Sequence, residues 1–365
     1  MPSLPALRRL PWTTWLPVAA LLVLALTWGR SLPGPVATLV AVVLGASVLA
    51  AVHHAEIVAL RVGEPFGSLV LAVAVTVIEV GLILTLTAAG GPGVETLARD
   101  TVFAAVMITA NGIVGLSILA GARRHDLVHF NAEGAGGALA TVVTLAGLCF
   151  ILPNVTSAAP GPEFSPGQLA FAAVASLILY ALYVTTQTVR HRDFFLPVDS
   201  DGATITEEHA DPPSDRATLM SLGLLLASLV AVVGLAKVES TTIDSLVSAA
   251  GLPQAVVGVV IALLVLSPES LAAVRAARRN RMQTSFNLAY GSAIASIGLT
   301  VPALALATIW VDSSLLLGLT PIQTVLFVLT VAVNILTVVP GRATRLQGGV
   351  HLAILAAFLF LSMNP

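Results

Sequence analysis

The chain has 365 residues, of which 57% are hydrophobic and only 10% are charged, and its mean hydropathy is +0.96. A water-soluble domain of this composition could not cover its surface with polar side chains, whereas a lipid bilayer accepts such a surface, so the composition indicates a polytopic membrane protein. The net charge of -2 gives no indication of nucleic-acid binding, because the basic residues fall in short clusters between apolar runs and not in a patch with aromatic residues. The single cysteine, Cys149, excludes an internal disulfide framework and a multi-cysteine metal site.

Eleven apolar runs follow one another along the chain, each near the roughly 20 residues that a helix needs to cross a bilayer. The first run resembles a cleaved signal peptide, but no small-x-small cleavage site follows it, so we expect a retained helix. The runs cover residues 15–29, 35–58, 66–88, 101–121, 136–153, 167–189, 217–236, 254–274, 286–309, 318–339 and 346–363.

Basic residues divide unequally between the segments that join these runs. With a cytoplasmic N-terminus, fourteen of the seventeen Lys and Arg residues lie in cytoplasmic segments, and only Arg30, Arg99 and Lys237 lie outside. Because cytoplasmic loops of membrane proteins are enriched in Lys and Arg, the sequence predicts eleven spans with a cytoplasmic N-terminus and an external C-terminus.

Two of the apolar segments carry an acid in their interior, Glu79 in residues 63–86 and Glu269 in residues 252–274, and each of these acids has an upstream proline. A charged acid at the bilayer centre costs roughly 2.5–3.5 kcal/mol on insertion scales, so it is retained where it has a partner or a function. Without the first helix, ten spans divide into two sets of five, which must be inverted relative to each other because five is odd. Secondary transporters commonly have this plan; two unrelated membrane acids are the alternative.

The predicted fold is therefore an all-α polytopic membrane protein with one extra N-terminal helix and two inverted five-helix repeats. An acidic cytoplasmic linker joins the repeats, and its prolines and glycine favour a flexible connection over a regulatory cation sensor. The predicted parts are the N-terminal helix in residues 1–30, the first repeat in 31–189 (spans 2–6), the linker in 190–216 and the second repeat in 217–365 (spans 7–11).

The run after each acidic run is polar in its middle. Thr109 and Asn111 follow the first acid, and Ser292, Ser296 and Thr300 follow the second. Ser292 and Ser296 are four residues apart and therefore share a helix face. Hydroxyl side chains also mediate ordinary helix packing in membranes. We expect packing for Thr109 and Thr300, whereas packing and ion binding are balanced for Asn111, Ser292 and Ser296.

Two carboxylates with hydroxyl and amide oxygens form an oxygen-only ligand set, which suits calcium or sodium better than zinc or copper. A divalent ion would neutralise both acids, and the two neighbouring anions that remain after its release would attract protons. Competition between protons and a cation for the same oxygens is the physical basis of cation/proton exchange. Pro268, beside Glu269, removes a backbone donor and can free helix carbonyls as further ligands.

Five stretches between His53 and His351 carry a family resemblance. They read GEPFGSLVLAVAVTVIEV, ARDTVFAAVMITANGIVGL, VGVVIALLVLSPESLAAVRAA, NRMQTSFNLAYGSAIASIGLTVP and GRATRLQGGVHL. They are similar to bacterial calcium/proton antiporters of the ChaA type in the calcium/cation antiporter (CaCA) superfamily. The resemblance implies calcium/proton exchange by alternating access, with repeat motifs on spans three and four and on spans eight and nine. The cation- and proton-binding residues that it implies are Glu79, Glu269, Asn111, Ser292, Ser296, Thr76 and Ser267.

The chain departs from the wider superfamily in two places. Vacuolar-type exchangers have a polar run ending in glutamine after the glycine and serine of the second repeat, where this chain has Ala-Ile-Ala at 293–295. Sodium/calcium exchangers have extra acidic or hydroxyl ligands where Val75 and Ile78 stand near Glu79. The site therefore looks sparse, and sodium/proton or potassium/proton exchange is the alternative to calcium/proton exchange.

A polar cluster stands at the predicted cytoplasmic end of span two. His53, His54 and Glu56, with Glu64 ahead of span three, form either an ion vestibule or an interfacial cluster satisfied by water and headgroups. The interfacial interpretation is favoured for the two histidines. In the last two spans, Asn334 is expected to make a packing hydrogen bond, and His351 is a candidate for a proton path.

These features predict a secondary active transporter of the bacterial inner membrane and not an enzyme. Calcium or another small cation, protons and the lipid bilayer are the expected partners, with no organic cofactor and no nucleic acid; the oligomeric state is left open. A cation channel that uses the same acids as a filter is the alternative class, and the inverted halves argue against it. An intramembrane enzyme lacks a recognisable catalytic set such as HExxH.

Overall fold

The computed structural model describes residues 11–30, 32–63, 66–90, 93–199, 203–204, 212–310 and 315–365, without the side chain of Asp244. These residues are overwhelmingly helical, which confirms the all-α class. The helices are α1 Trp12–Thr27, α2 Gly34–Val62, α3 Phe66–Ala89, α4 Leu97–Met107, α5 Val114–His125, α6 Ala132–Ala146, α7 Pro166–Thr185, α8 Asp215–Ala249, α9 Ala255–Val265, α10 Ser267–Arg278, α11 Met282–Ala307, α12 Pro321–Val338 and α13 Arg345–Met363.

Nine helical stretches in the described part of the chain are long and apolar enough to cross a membrane. Helices α9 and α10 form a tenth candidate span, bent by 52°. Helix α1 is also apolar but has only 16 residues. The polytopic architecture is thus confirmed, while the count of eleven spans stays a prediction.

Helix ends follow from local residue types. Helices α7, α12 and α13 each begin with a capping box, formed by Ser165, Thr320 or Thr344 with the glutamine three residues later. Helix α2 ends at Gly63, whose φ of 74° is a left-handed conformation that glycine adopts without strain. A π-helical turn, Ile108–Ile113, joins α4 to α5 within one span.

Buried apolar side chains form two large clusters. The first cluster draws on α4 to α7 and α10 to α13, and the second on α1, α2, α3 and α8. Helix α9 contributes buried residues to both. Helix α3 packs on α11, and α4 packs on α9. Helices from both halves of the sequence therefore meet in the interior.

The predicted eighth span is broken at Leu266, between α9 and α10. Pro268 follows the break and cannot donate a backbone hydrogen bond. The Ser267 hydroxyl donates to the carbonyl of Leu263, which satisfies one acceptor at the end of α9. Glu269 consequently lies in the first turn of α10, where the helix dipole favours negative charge.

Two short strands tie together loops that are distant in the sequence. Strand β1, Val128–His129, pairs antiparallel with β2, Arg342–Ala343. The pairing joins the α5–α6 connection to the α12–α13 connection at one end of the helices. At the same end, Arg61 near the end of α2 forms an ion pair with Asp215 at the start of α8.

Candidate functional site

Glu79 lies near the middle of α3 and is only 3% exposed. The Ser296 hydroxyl lies 2.8 Å from Glu79 Oε1 and 2.9 Å from Oε2, and the Thr300 hydroxyl donates to Oε2 at 2.8 Å. Ser296 and Thr300 are one turn apart on α11 and share a face. Helix α11 of the second half thus supplies two donors to the acid of the first half.

Glu269 has a different environment. Its side chain is 7% exposed, and its Oε2 has no hydrogen-bond partner among the described residues. A buried carboxylate oxygen without a partner is unfavourable, and it calls for a physical explanation. A cation or a proton on this oxygen would satisfy it.

Both acids line one cavity of about 580 Å³. Ser292 and Ser296 of α11 line it beside them. Glu56 of α2, which is exposed, lines the same cavity, as do Gly67 at the start of α3 and Gln187 after α7. These helix ends are the ones that the charge distribution of the sequence assigns to the cytoplasm, so the cavity runs from that end toward the buried acids.

A second buried polar group lies at the start of α4, which follows the C-terminal end of α3. Asp100 Oδ1 accepts hydrogen bonds from Arg99 Nε and Gln323 Nε2, both at 2.9 Å, and its Oδ2 accepts one from Thr96 at 2.9 Å. Arg99 also donates to the Gly318 carbonyl at 3.3 Å. We call Thr96, Arg99, Asp100, Gly318 and Gln323 the Asp100 cluster. It ties the start of α4 to the start of α12 at this end.

The structure brings together part of the predicted cation- and proton-binding set. Thr76 and Ser267 are absent from the cavity lining within the described residues. The Thr76 hydroxyl donates to the Ala72 carbonyl at 2.8 Å, and Ser267 completes the break before α10. Asn111 is also outside the lining. The predicted residues that do line the cavity are Glu79, Glu269, Ser292 and Ser296.

The Asn111 amide is turned toward α12 and α13. Its Nδ2 donates to the Thr330 hydroxyl at 2.9 Å, and its Oδ1 lies 3.2 Å from His351 Nδ1. Asn334, also on α12, accepts a hydrogen bond from the Tyr290 hydroxyl at 2.7 Å. The predicted packing hydrogen bond of Asn334 is thus confirmed, and His351 belongs to a buried network outside the cavity lining.

Thr300, for which packing was expected, has a fully buried hydroxyl that donates to Glu79. The sequence contains a signal for this contact, because residues 292, 296 and 300 are spaced one helical turn apart and therefore share a face. Thr109 instead bonds to the backbone of its own helix, with Ala105 O at 2.8 Å, as expected for a packing residue.

The structure places the residues of the predicted vestibule in different environments. Glu56 lines the cavity, whereas neither His53 nor His54 is among the residues that line it. Pro17 of α1 cannot donate to the Thr13 carbonyl one turn earlier, and His54 Nε2 donates to that carbonyl at 2.8 Å. His54 therefore anchors α1 to α2. Glu64 lies outside the described residues.

Comparisons with known proteins identify the family of the chain. The family model described as sodium/calcium exchanger protein matches residues 34–189 and 220–364. The putative ionic transporter y4hA of Sinorhizobium fredii is 45% identical over 357 residues, which is 97% of this chain and 96% of that protein. The sodium-potassium/proton antiporter ChaA of Escherichia coli is 34% identical over 347 residues, 94% of this chain and 93% of that one.

A solved structure shares the fold. The crystal structure of the Ca²⁺/H⁺ antiporter protein YfkE superimposes with a TM-score of 0.70 at 17% sequence identity, covering 97% of this chain and 99% of that chain. The family model and the two relatives each extend over most of the sequence and include both acidic helices. The chain therefore belongs to the sodium/calcium exchanger protein family and is a ChaA-type member of the CaCA superfamily of antiporters.

Proposed function

We propose that the chain exchanges calcium for protons across the bacterial inner membrane by alternating access, and that Glu79 and Glu269 bind both ions. One observation carries the proposal: two buried carboxylates from different halves of the sequence line the same cavity. The cavity approaches them from the side that the charge bias assigns to the cytoplasm. Membership of an antiporter superfamily supports the same conclusion.

The charge of the site explains why transport would be an exchange. Two carboxylates buried on one cavity in a low-dielectric interior are unfavourable as anions without a counter-charge, because desolvation disfavours the charged form. One divalent cation supplies that counter-charge, and so do protons. Release of the cation therefore favours proton binding at Glu79 and Glu269, and proton release favours the return of a cation.

Neutral oxygens would complete the cation site. A hydroxyl carries one donor and two lone pairs, so Ser296 and Thr300 donate to Glu79 here and can turn a lone pair toward a bound ion. Ser292, which lines the cavity with Ser296, offers a further hydroxyl. Carboxylate and hydroxyl oxygens are the hard ligands that calcium prefers. Among the described residues, no group of three or more His, Cys, Asp or Glu could hold a metal ion, so we assign the cation as cargo.

Alternating access requires that the two ends of the transport path differ. The cavity extends toward the predicted cytoplasmic end, and in this proposal the Asp100 cluster, which does not line the cavity, closes the other end. A change of access would close the cavity beside Glu56 and part the contacts between Asp100 and Gln323. A closed end of this kind does not favour a channel, which needs a continuous pore.

Sodium/proton or potassium/proton exchange is the second candidate. The Escherichia coli relative, at 34% identity, is named a sodium-potassium/proton antiporter. Two hydroxyls, those of Ser296 and Thr300, donate to Glu79, whereas calcium usually takes six to eight oxygen ligands. The mechanism proposed for Glu79 and Glu269 is the same for either cation.

Proton flux in liposomes tests the proposal. Purified protein is reconstituted with a pH-sensitive dye in an acidic lumen, and calcium, sodium and potassium are added outside in turn. We expect alkalinisation with calcium, lost in Glu79→Gln and in Glu269→Gln but kept in the matched variant Glu95→Gln, whose acid lies outside the cavity. A response to sodium or potassium alone would select the second candidate. Current down the cation gradient without proton flux would indicate a channel and contradict the proposal.

A further inference from the structure

Another buried polar group lies outside the residues that line the cavity. It consists of Asn111, Thr330, Thr337 and His351, each at most 2% exposed; we call it the Asn111 network. Asn111 belongs to the π-helical turn Ile108–Ile113, which packs on α10 and α11 on one side and on α12 and α13 on the other. The turn therefore separates the network from the helices that carry Glu269 and Ser296.

The hydrogen bonds fix the orientation of the Asn111 amide. The Thr330 hydroxyl donates its only proton to the Leu326 carbonyl at 2.7 Å, so it can only accept from Asn111. The group 2.9 Å from Thr330 is consequently Nδ2, and Oδ1 faces His351. Because Oδ1 is an acceptor, His351 Nδ1 carries the proton in this bond.

The other ring nitrogen of His351 is also engaged. Its Nε2 lies 3.0 Å from the Thr337 hydroxyl, whose single proton is shared between this nitrogen and the Val333 carbonyl at 2.9 Å. Both ends of the Asn111 amide and both nitrogens of His351 thus have partners. In this arrangement Asn111 Oδ1 is committed to His351 and cannot also serve as a ligand in the cavity.

We propose that His351 and Thr330 are positioning residues that hold the Asn111 amide away from the cation site and thereby set the affinity of that site. The proposal rests on the proposed function of Glu79 and Glu269. A π-helical turn re-aims side chains and is frequent at functional sites. Rotation of Asn111 toward α10 and α11 would add a neutral carbonyl oxygen to the side of the turn that faces Glu269.

The consequence is a measurable control of cation affinity. The number of oxygen ligands is one of the factors that tune calcium affinity over orders of magnitude. An antiporter must release its cation as well as bind it. An Asn111 oxygen that stays outside the site keeps the affinity for the cation low. Loss of either partner of Asn111 leaves a buried amide group unpaired and favours its rotation out of the network.

The first test measures the cation dependence of exchange in liposomes. Thr330→Val removes the acceptor of Nδ2 with almost no change of shape, and His351→Phe removes the donor to Oδ1. We expect each variant to lower the KM for the transported cation by about three- to tenfold, with a much smaller change in maximal rate. Tyr290→Phe is the matched control, because it removes a buried hydroxyl that bonds Asn334 and not Asn111.

Measurements in an Asn111→Leu background distinguish a positioning role of Thr330 and His351 from general structural damage. Asn111→Leu alone should leave the KM close to that of the parent protein, since the amide is not a ligand in this arrangement. In the Asn111→Leu background, Thr330→Val and His351→Phe should no longer lower the KM. An effect that persists there, or an unchanged KM in both single variants, would overturn the proposal.

A crystal structure of Thr330→Val decides the same question without transport, so a failure of the proposed function would not obscure the result. The Asn111 side chain should turn toward α10 and α11. An amide that still faces His351 would overturn the proposal. Because valine and threonine have the same shape, this variant also keeps the test possible if His351→Phe does not fold.

Discussion

The Ser296 hydroxyl lies within 2.9 Å of both carboxylate oxygens of Glu79, across the contact between α11 and α3. This relationship joins the two halves of the sequence at an ionisable group. It also means that the side chain that would bind the cation is held in place by its own neutral neighbours.

Removal of these hydroxyls should weaken cation binding. We expect Ser296→Ala and Thr300→Val each to raise the KM for the cation by about five- to fiftyfold, because each loses a neutral ligand and a bond that orients Glu79. Liposome flux assays measure the effect. Thr109→Val is the matched control, since that threonine bonds only to backbone carbonyls of its own helix. Equal effects in all three variants would count against a role in binding.

Glu56 should act through long-range attraction. It is exposed on α2 and lines the same cavity as the two buried acids. Glu56→Gln should raise the KM by about two- to fivefold at low ionic strength and less at high salt, because exposed charges are screened. Maximal rate should stay near that of the parent protein. A salt-independent loss of maximal rate would instead place Glu56 in the binding site.

His54 should contribute to stability and not to transport. His54→Leu leaves the Thr13 carbonyl without a donor, so we expect a destabilisation of about 1–3 kcal/mol. Thermal unfolding in detergent measures this change, and exchange activity should persist. Pro17→Ala restores a backbone donor to the same carbonyl, so the double variant Pro17→Ala with His54→Leu should recover much of the loss. No recovery would contradict the assigned role of His54.

The Asp100 cluster should control access from the opposite face. Asp100→Ala removes the acceptor shared by Arg99, Gln323 and Thr96, so the closed end should open more often. A cysteine placed by Ile83→Cys, one turn beyond Glu79, reports on this opening through a membrane-impermeant thiol reagent added outside. We expect Asp100→Ala to increase the labelling rate by about five- to twentyfold. The Cys149→Ser background removes the buried native thiol.

An unchanged labelling rate would show that the Asp100 cluster does not limit access. Glu95→Ala is the matched control, since Glu95 is an acid beside the same cluster and no hydrogen bond from its side chain to the cluster occurs in the described part of the chain. Labelling that increases equally in both variants would point to general loosening.

Much of the site could be predicted because its signals are local. Glu79 and Glu269 stand out as single acids in apolar runs, and one-turn spacing places Ser296 and Thr300 on one face. Asn111 could not be placed in this way. Its orientation depends on Thr330 and His351, which are 219 and 240 positions away in the sequence.

The break of the eighth span was only partly predictable. Pro268 marks a missing backbone donor, but a proline near the start of a helix does not reveal whether the preceding turns continue straight. The bend of 52° depends on how α9 and α10 pack on different neighbours. Similarly, Pro17 indicates that the Thr13 carbonyl lacks a backbone donor within α1. Only the packing of α1 on α2 shows that His54 supplies the donor.

The shared position of α9 between the two apolar clusters has a mechanical consequence. The cavity lies where the clusters meet, since α2 and α3 line it from one and α7 and α11 from the other. We expect each cluster to move as a nearly rigid body, with the break at Leu266 absorbing the rotation. Glu269 stands beside this break and has an oxygen without a hydrogen-bond partner among the described residues, so binding of an ion to that oxygen and rotation of the two clusters would be coupled.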